Sequence, residues 1–441
     1  FLRKISRKTW AFFETFVGPE DHWLPPDNYQ EYRGAAVAHR TSPTNVGLAL
    51  LANLTAYDFG YIPAGQLIER TANTLRTMDG LERHRGHLYN WYDTLSLKPL
   101  HPKYVSTVDS GNLAGHLLTL RPGLLALPDD TILGARLFDG LHDTLGILVE
   151  SAASAPSAQL AQFQADFEAA CASRPSTLTQ AWLCLDRLAR RAAEFADGLD
   201  AVRTTSQTSG ERMSAGKGEN DLAGQAKLQL SRSQNGMYTE VDEDSTHQPA
   251  LNHASAVLSE TASERDANWW ARTLARQCRA ALDELTFLAP WLLLPAAPSG
   301  LGDYPGIGKI PTLRELARLE EGVLPVIEQR LLADAATSAE REWLHELRHC
   351  ITAAGRRASE RIAAVERLAL QAGELARMEY GFLYDKASRL LAIGYNVDEL
   401  RRDSSYYDLL ASEARLMKFV AIAQGQLPQE SWFALGRLLT S

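Results

Sequence analysis

The sequence predicts a mainly α protein with a long helical insertion and one small β-hairpin. Three observations carry that expectation. Apolar residues recur at helical spacing through residues 1–150. Residues 153–202 and 259–375 are rich in Ala, Leu, Arg and Glu, with Glu/Arg pairs four residues apart, the pattern of amphipathic helices with solvated outer faces. Strand-like texture is confined to two short apolar runs near the C-terminal end.

The first helix is expected over Ile5 to Val17, where Ile5, Trp10, Phe13, Phe16 and Val17 share a face. The second runs from Thr44 to Phe59. Ser42-Pro43-Thr44-Asn45 opens it as a cap with proline near the start, and Gly60 ends it. Pro63 to Leu81 follows, with Leu67, Ile68, Leu75 and Met78 on one side, then Gly111 to Leu120 and Thr131 to Ala152. The connections 19–45 and 84–112 are long and rich in Asp, Asn, His, Trp and Tyr, and long loops in a helical protein are usually functional. Leu313 to Leu332 and Glu340 to Met378 are the clearest later helices. Residues 203–258 carry few large apolar side chains and are expected to be disordered or poorly packed. Phe382 to Asp385 and Leu390 to Tyr395 read as a β-hairpin, and Tyr406 to Gln424 as a further helix. The domain expectation is therefore 1–150, an insertion 151–375, and a continuation 376–441.

Composition sets bounds on function. The chain has 441 residues, 45% hydrophobic and 22% charged, with a formal net charge of −9. That acidity argues against a nucleic-acid partner held by phosphate neutralisation. Cys171, Cys184, Cys278 and Cys350 are widely spaced and read as reduced structural thiols in a cytosolic setting. The longest apolar stretch, Phe287 to Pro298, is too short and proline-broken to span a membrane. His84, His87 and His101 lack metal-ligand spacing, and Gly302, Gly306 and Gly308 lack the Lys-Ser/Thr ending of a phosphate loop. No metal or cofactor is expected. The chain begins with Phe1 and ends in an uncapped helical pattern, so a piece of a longer protein is expected.

The chemistry concentrates in four clusters: Pro25 to Glu31 with Arg40 to Asn45, His87 to Asp93, Thr107 to Asn112, and Tyr395-Asn396 with Arg401 to Tyr407 and Ser412 to Arg415. Sugars need aromatic faces for their C–H sides and Asp or Asn groups for their hydroxyls. The candidate lining is Asp27, Asn28, Gln30, Arg40, Thr41, Asn45, Asn90, Trp91, Tyr92, Asp93, Asp109, Asn112, Tyr395 and Asn396. Each has a plainer reading: Trp91 and Tyr92 as core aromatics, Asp93 as a loop-orienting group, Arg40 as a structural ion-pair partner. Glycosidic-bond chemistry needs two carboxyl groups. Glu413, placed mid-helix among Leu409, Leu410 and Leu416, is the candidate for one of them, since apolar neighbours raise a carboxyl pKa as a general acid requires. Its plainer reading is a cap or a pairing within a helix bundle.

At these clusters the chain resembles the bacterial cyclic β-1,2-glucan synthases, in the central glucoamylase-like region. The motifs are Thr9-Trp10-Ala11-Phe12-Phe13-Glu14 with Trp23 to Asn28, Arg40 to Asn45, Gly86 to Thr94 and Val105 to Gly115, then Gly381 to Asp385, Ile393 to Asn396 and Tyr407 to Leu416. The resemblance implies a partial (α/α)6 toroid that closes linear β-1,2-glucan into rings by transglycosylation, with Glu413 of Ser-Glu-Ala-Arg as catalytic acid or acid/base. It implies a β-1,2-glucan chain as substrate. It implies a membrane-embedded glycosyltransferase and a phosphorylase-like domain on the same polypeptide, at the cytoplasmic face of the bacterial inner membrane. It also implies that the second carboxylate lies outside this sequence. A hydrolytic glucanase of the same fold and a non-catalytic glucan-binding scaffold are the alternatives.

Overall fold

The computed structural model describes residues 1–30, 36–134, 136–152, 158–215, 248–298, 304, 306–332 and 337–437. Helices dominate the N-terminal part: α1 (Leu2–Phe16), α2 (Pro43–Asp58), α3 (Ala64–Gly80), α4 (Thr107–Ala126) and α5 (Arg136–Ser151). There follow α6 (Ala158–Ala172), α7 (Leu178–Ala215), α8 (Gln248–Leu288), α9 (Leu313–Ala317), α10 (Leu319–Leu331) and α11 (Ser338–Leu375). The chain then forms α12 (Ala414–Ala423) and α13 (Glu430–Phe433).

The local chemistry accounts for the boundaries. Ser42 caps α2 by accepting from the Asn45 amide, with Pro43 in the first turn. Gly60 follows at φ 77°, and a side chain there would collide with the Arg136 carbonyl. Thr312 and Thr337 close capping boxes with Glu315 and Glu340.

The strands are short and serve as ties. They are β1 (Tyr29–Gln30), β2 (Ala36–Val37), β3 (Arg40–Thr41), β4 (Arg83–His84), β5 (His87–Leu88), β6 (Tyr92–Asp93), β7 (Tyr104–Ser106), β8 (Tyr384–Asp385), β9 (Leu390–Leu391), β10 (Gly394–Asn396) and β11 (Arg401–Arg402). β8 and β9 form the hairpin, Tyr384 opposite Leu391, but its second strand ends at Leu391, and Gly394 and Tyr395, expected in it, belong to β10. β10 lies between β7 and β11, antiparallel to both, so Tyr395 faces Val105 across nearly three hundred residues of chain. β3 pairs with β6, Arg40 opposite Asp93 and Thr41 opposite Tyr92.

Two apolar cores result. One gathers Trp10, Leu50, Leu67, Leu117, Leu368 and Met417 from α1–α4, α11 and α12. The other gathers Leu141, Phe163, Leu185, Leu274, Val323 and Leu344 from α5–α11. α11 serves both: its first half, through Ala358, belongs to the second core, and Val365 to Leu375 to the first. At 1.5 Å per residue it is about 57 Å long, long enough to join them as one beam.

Three helix expectations are corrected. The helix expected at Gly111 begins at Thr107, because the Ser106 hydroxyl accepts from the Asp109 amide and caps it earlier. The helix expected from Tyr406 begins only at Ala414. Residues 406–410 are drawn into other pairings: Tyr406 bridges Ala392, and Leu410 donates to the Gly436 carbonyl. Leu313 to Leu332 divides at Arg318, which leaves helical geometry at ψ 2°. Most of the stretch 203–258 lies outside the described residues, and its ends, 203–215 and 248–258, belong to α7 and α8.

Candidate functional site

The first turn of α2 organises the site. Asn45 donates from Nδ2 to Asp27 Oδ1 at 3.4 Å. Asp27 Oδ2 accepts from Arg40 Nη2 at 2.9 Å, Arg40 Nε at 3.2 Å and Asn28 Nδ2 at 3.1 Å. The Arg40 guanidinium lies over the Trp91 ring, 4.7 Å from its centroid. With its amide oriented to satisfy both neighbours, Asn90 accepts from Trp91 Nε1 at 3.2 Å and donates to Asp109 Oδ2 at 2.9 Å. Asp109 Oδ1 accepts from Thr44 Oγ1 at 2.6 Å, and that oxygen accepts from Asn112 Nδ2 at 3.2 Å. Thr44 is the neighbour of Asn45, so the contacts close into a ring.

The ring is fixed by backbone chemistry. Arg40 is on β3, and Trp91 immediately precedes β6, its strand partner. Asp109 and Asn112 share one face of α4, three residues apart. Both carboxylates sit at helix starts, Asp109 in the first turn of α4 and Asp27 against the first turn of α2, where the positive ends of the helix dipoles favour them. Asp27 is 19% exposed and Arg40 51%. The side-chain amide oxygen of Asn28 is buried with no hydrogen-bond partner among the described residues.

The remaining candidates stand outside the ring. Tyr92 is a core residue whose hydroxyl donates to the Glu82 carbonyl at 2.6 Å and accepts from the Tyr89 amide at 2.8 Å. Burial pushes its phenol well above the ordinary tyrosine range. Asp93 folds back on its own loop: Oδ1 takes the Ser96 amide and hydroxyl and the Leu95 amide, which hold its carboxyl below the usual range. Gln30 is exposed on β1, and Thr41 is fully buried with its hydroxyl unpaired. Tyr395 stacks on His84, centroids 5.5 Å apart, and Asn396 accepts from the Glu399 amide in a turn.

Glu413 differs most from its expected setting. It is exposed at the N-cap of α12 rather than enclosed mid-helix, and Leu409 and Leu416 are themselves 43% and 37% exposed. The apolar enclosure expected to raise its pKa is absent. α12 packs across α4 where Gly111 meets Met417, so Glu413 and the ring are both fastened to α4, the ring through Asp109 and Asn112.

A cavity of about 240 Å³ opens elsewhere, at the seam of the two cores, walled by Ile62, Leu127, Leu137 and Leu288. No candidate residue lines it. Its polar groups are paired, Tyr57 with Asp130, Arg136 with Asp58 and Glu284 with Arg361, whereas beside the ring the Asn28 side-chain oxygen has no partner among the described residues. The ring is therefore the better site.

Sequence reasoning passed over Thr44, whose signal was its place beside Asn45 in the capping motif. It also passed over Thr94, the last residue of the Gly86 to Thr94 motif, and Asp21 and His39, which carried no motif.

No family model matches the chain. The chain is 31% identical over 441 residues to the cyclic β-(1,2)-glucan synthase NdvB of Rhizobium meliloti (strain 1021). The chain is related to a cyclic β-(1,2)-glucan synthase. The match takes in 99% of this chain and 12% of the length of that curated relative. Among the described residues, no helix is long and apolar enough to cross a membrane, and no group of three or more His, Cys, Asp or Glu is arranged to hold a metal ion.

Proposed function

We propose that the chain is the glycan-active region of a cyclic β-1,2-glucan synthase and closes linear β-1,2-glucan into rings by transglycosylation. The supporting observation is the closed ring of Asp27, Arg40, Trp91, Asn90, Asp109, Thr44 and Asn45 in a chain related along its length to such a synthase. Asp27 and Asp109 accept from glucosyl hydroxyls, and Asn112 supplies a donor. The substrate is a β-1,2-glucan chain. The glycosyltransferase and phosphorylase-like domains stand on the same polypeptide, at the cytoplasmic face of the bacterial inner membrane.

In the reaction, a carboxylate attacks the anomeric carbon while an acid protonates the departing glycosidic oxygen. The 2-hydroxyl at the far end of the same chain then replaces the carboxylate and gives its proton to the conjugate base of that acid. Water must be excluded, or the product is linear. Glu413 is the proposed acid, carried by the Ser-Glu-Ala-Arg motif, and it stands exposed at the start of α12. The fold proposed for the complete region is an (α/α)6 toroid, of which α1–α5 and α12 form part and the stretch 151–375 is an insertion.

One observation favours a holding role as a second reading. Both ring carboxylates are already engaged by neutral or cationic donors, which suits hydroxyl recognition better than proton transfer. Glu413→Gln in the complete synthase separates the readings, with products followed by mass spectrometry. Ring formation is expected to fall by about 10² or more. An unchanged rate contradicts the catalytic role, and short linear products from the parent synthase indicate a hydrolase.

A further inference from the structure

The turn around Asp21 makes contacts that the glycan reading does not use. Asp21 is 6% exposed, and its Oδ1 accepts from two side chains. One is His39, from Nδ1 at 2.8 Å; the other is the hydroxyl of Thr94, itself fully buried. Next in the chain, His22 donates from Nδ1 to the Thr94 carbonyl at 2.9 Å. His39 immediately precedes β3 and Thr94 immediately follows β6, and the Thr94 amide donates to the His39 carbonyl at 3.0 Å. One short turn thus grips the same end of both strands.

The turn is itself strained. His22 and Trp23 stand at φ 54° and 64°, consecutive left-handed residues with no glycine between them. Their carbonyls accept from the hydroxyls of Thr77 at 2.7 Å and Thr74 at 2.9 Å, which tie the turn to α3. Such strain persists only where the surroundings over-determine it. The strands it grips carry Arg40 and adjoin Trp91, the stacked pair on which closure of the ring depends.

We propose that Asp21 is a positioning residue of the glycan site: through His39 and Thr94 it fixes the β3–β6 pair, so that Arg40 and Trp91 are stacked before a saccharide arrives. This inference rests on the glycan reading. Since both bonds fall on one oxygen, the role belongs to an acceptor at that point rather than to the negative charge.

The test uses the full 441-residue chain, with Thr94→Val, Thr94→Ser and Asp21→Asn. Affinity for a linear β-1,2-gluco-oligosaccharide is measured by calorimetry, and amide exchange is followed over residues 38–41 and 90–97. Thr94→Val is expected to weaken binding roughly tenfold by loss of preorganisation and to speed exchange in those segments. Thr94→Ser and Asp21→Asn should restore both, because each keeps an oxygen where it is needed. Parent-like affinity in Thr94→Val overturns the inference alone, as does a Ser variant as impaired as the Val variant. A parent chain that binds no oligosaccharide overturns the glycan reading and the inference with it.

Discussion

Acidification from pH 7 to pH 4 is expected to cost the fold about 3 kcal/mol through one residue, His87. The ring is fully buried, and burial pushes its pKa down to about 4, against the opposing effect of its bond to the Glu379 carbonyl. Nε2 donates to that carbonyl at 2.7 Å, Nδ1 lies 2.8 Å from Ser110 Oγ, and the edges of Tyr380 and Phe382 close the site. The unfolded chain binds the proton near the ordinary histidine value, and the folded chain only near 4. The stability is therefore complete above about pH 6.5 and is lost as the pH falls toward 4. The residue joins β5 to α4 and to the segment after α11, so the loss is felt across the first core. Chemical denaturation at several pH values checks it. In His87→Gln, stability is expected to be lower at pH 7, but its decline between pH 6.5 and 4 should be shallower by about that 3 kcal/mol. An equally steep decline in both proteins would assign the acid sensitivity elsewhere.

Gly111→Ala is expected to cost about 3 kcal/mol by forcing two helices apart. A Cβ there would stand 2.2 Å from Met417 Cβ and 2.5 Å from Met417 Cα. The second is backbone, so relief requires α12 to move off α4. Gly115, one turn on, meets only the flexible end of Leu416 at 3.3 Å, and its Ala variant should be mild. Gly146, on the exposed face of α5, meets nothing within 4 Å, and Ala there should gain up to about 1 kcal/mol from helix propensity. Thermal unfolding of the three variants checks the order. Because α12 starts beside Glu413, the Gly111 variant should also reduce any activity that depends on that carboxylate.

The helical framework was legible because its signals are local. Ser42-Pro43 and Gly60 bracket α2 by chemistry that acts within a few residues, and the apolar spacing of α3 and α11 needs no distant partner. What was not legible depends on distant partners. Residues 406–413 have helical spacing, but Ala392 and Gly436 claim the backbone of residues 406–410. The β7–β10 pairing joins strands that no local pattern connects.

The site divides the same way. Residue type singled out Asn90, Trp91, Asp109 and Asn112, and the structure brings all four into one network. Type alone could not separate Trp91 from Tyr92 or Asp109 from Asp93. Tyr92 is consumed by the Glu82 carbonyl and Asp93 by the Ser96 turn. Glu413 shows the same limit: the apolar residues around it in sequence do not enclose it once its helix starts one residue later.

The most direct measurement is a calorimetric titration of the chain with linear β-1,2-glucan, alongside Trp91→Ala and Asp109→Ala. The account predicts saturable binding by the parent and, in each variant, a loss of about tenfold or more, roughly 1.4 kcal/mol, with the fold retained by circular dichroism. A parent that takes up no glucan, or folded variants that bind it as tightly as the parent, would contradict the placement of the site.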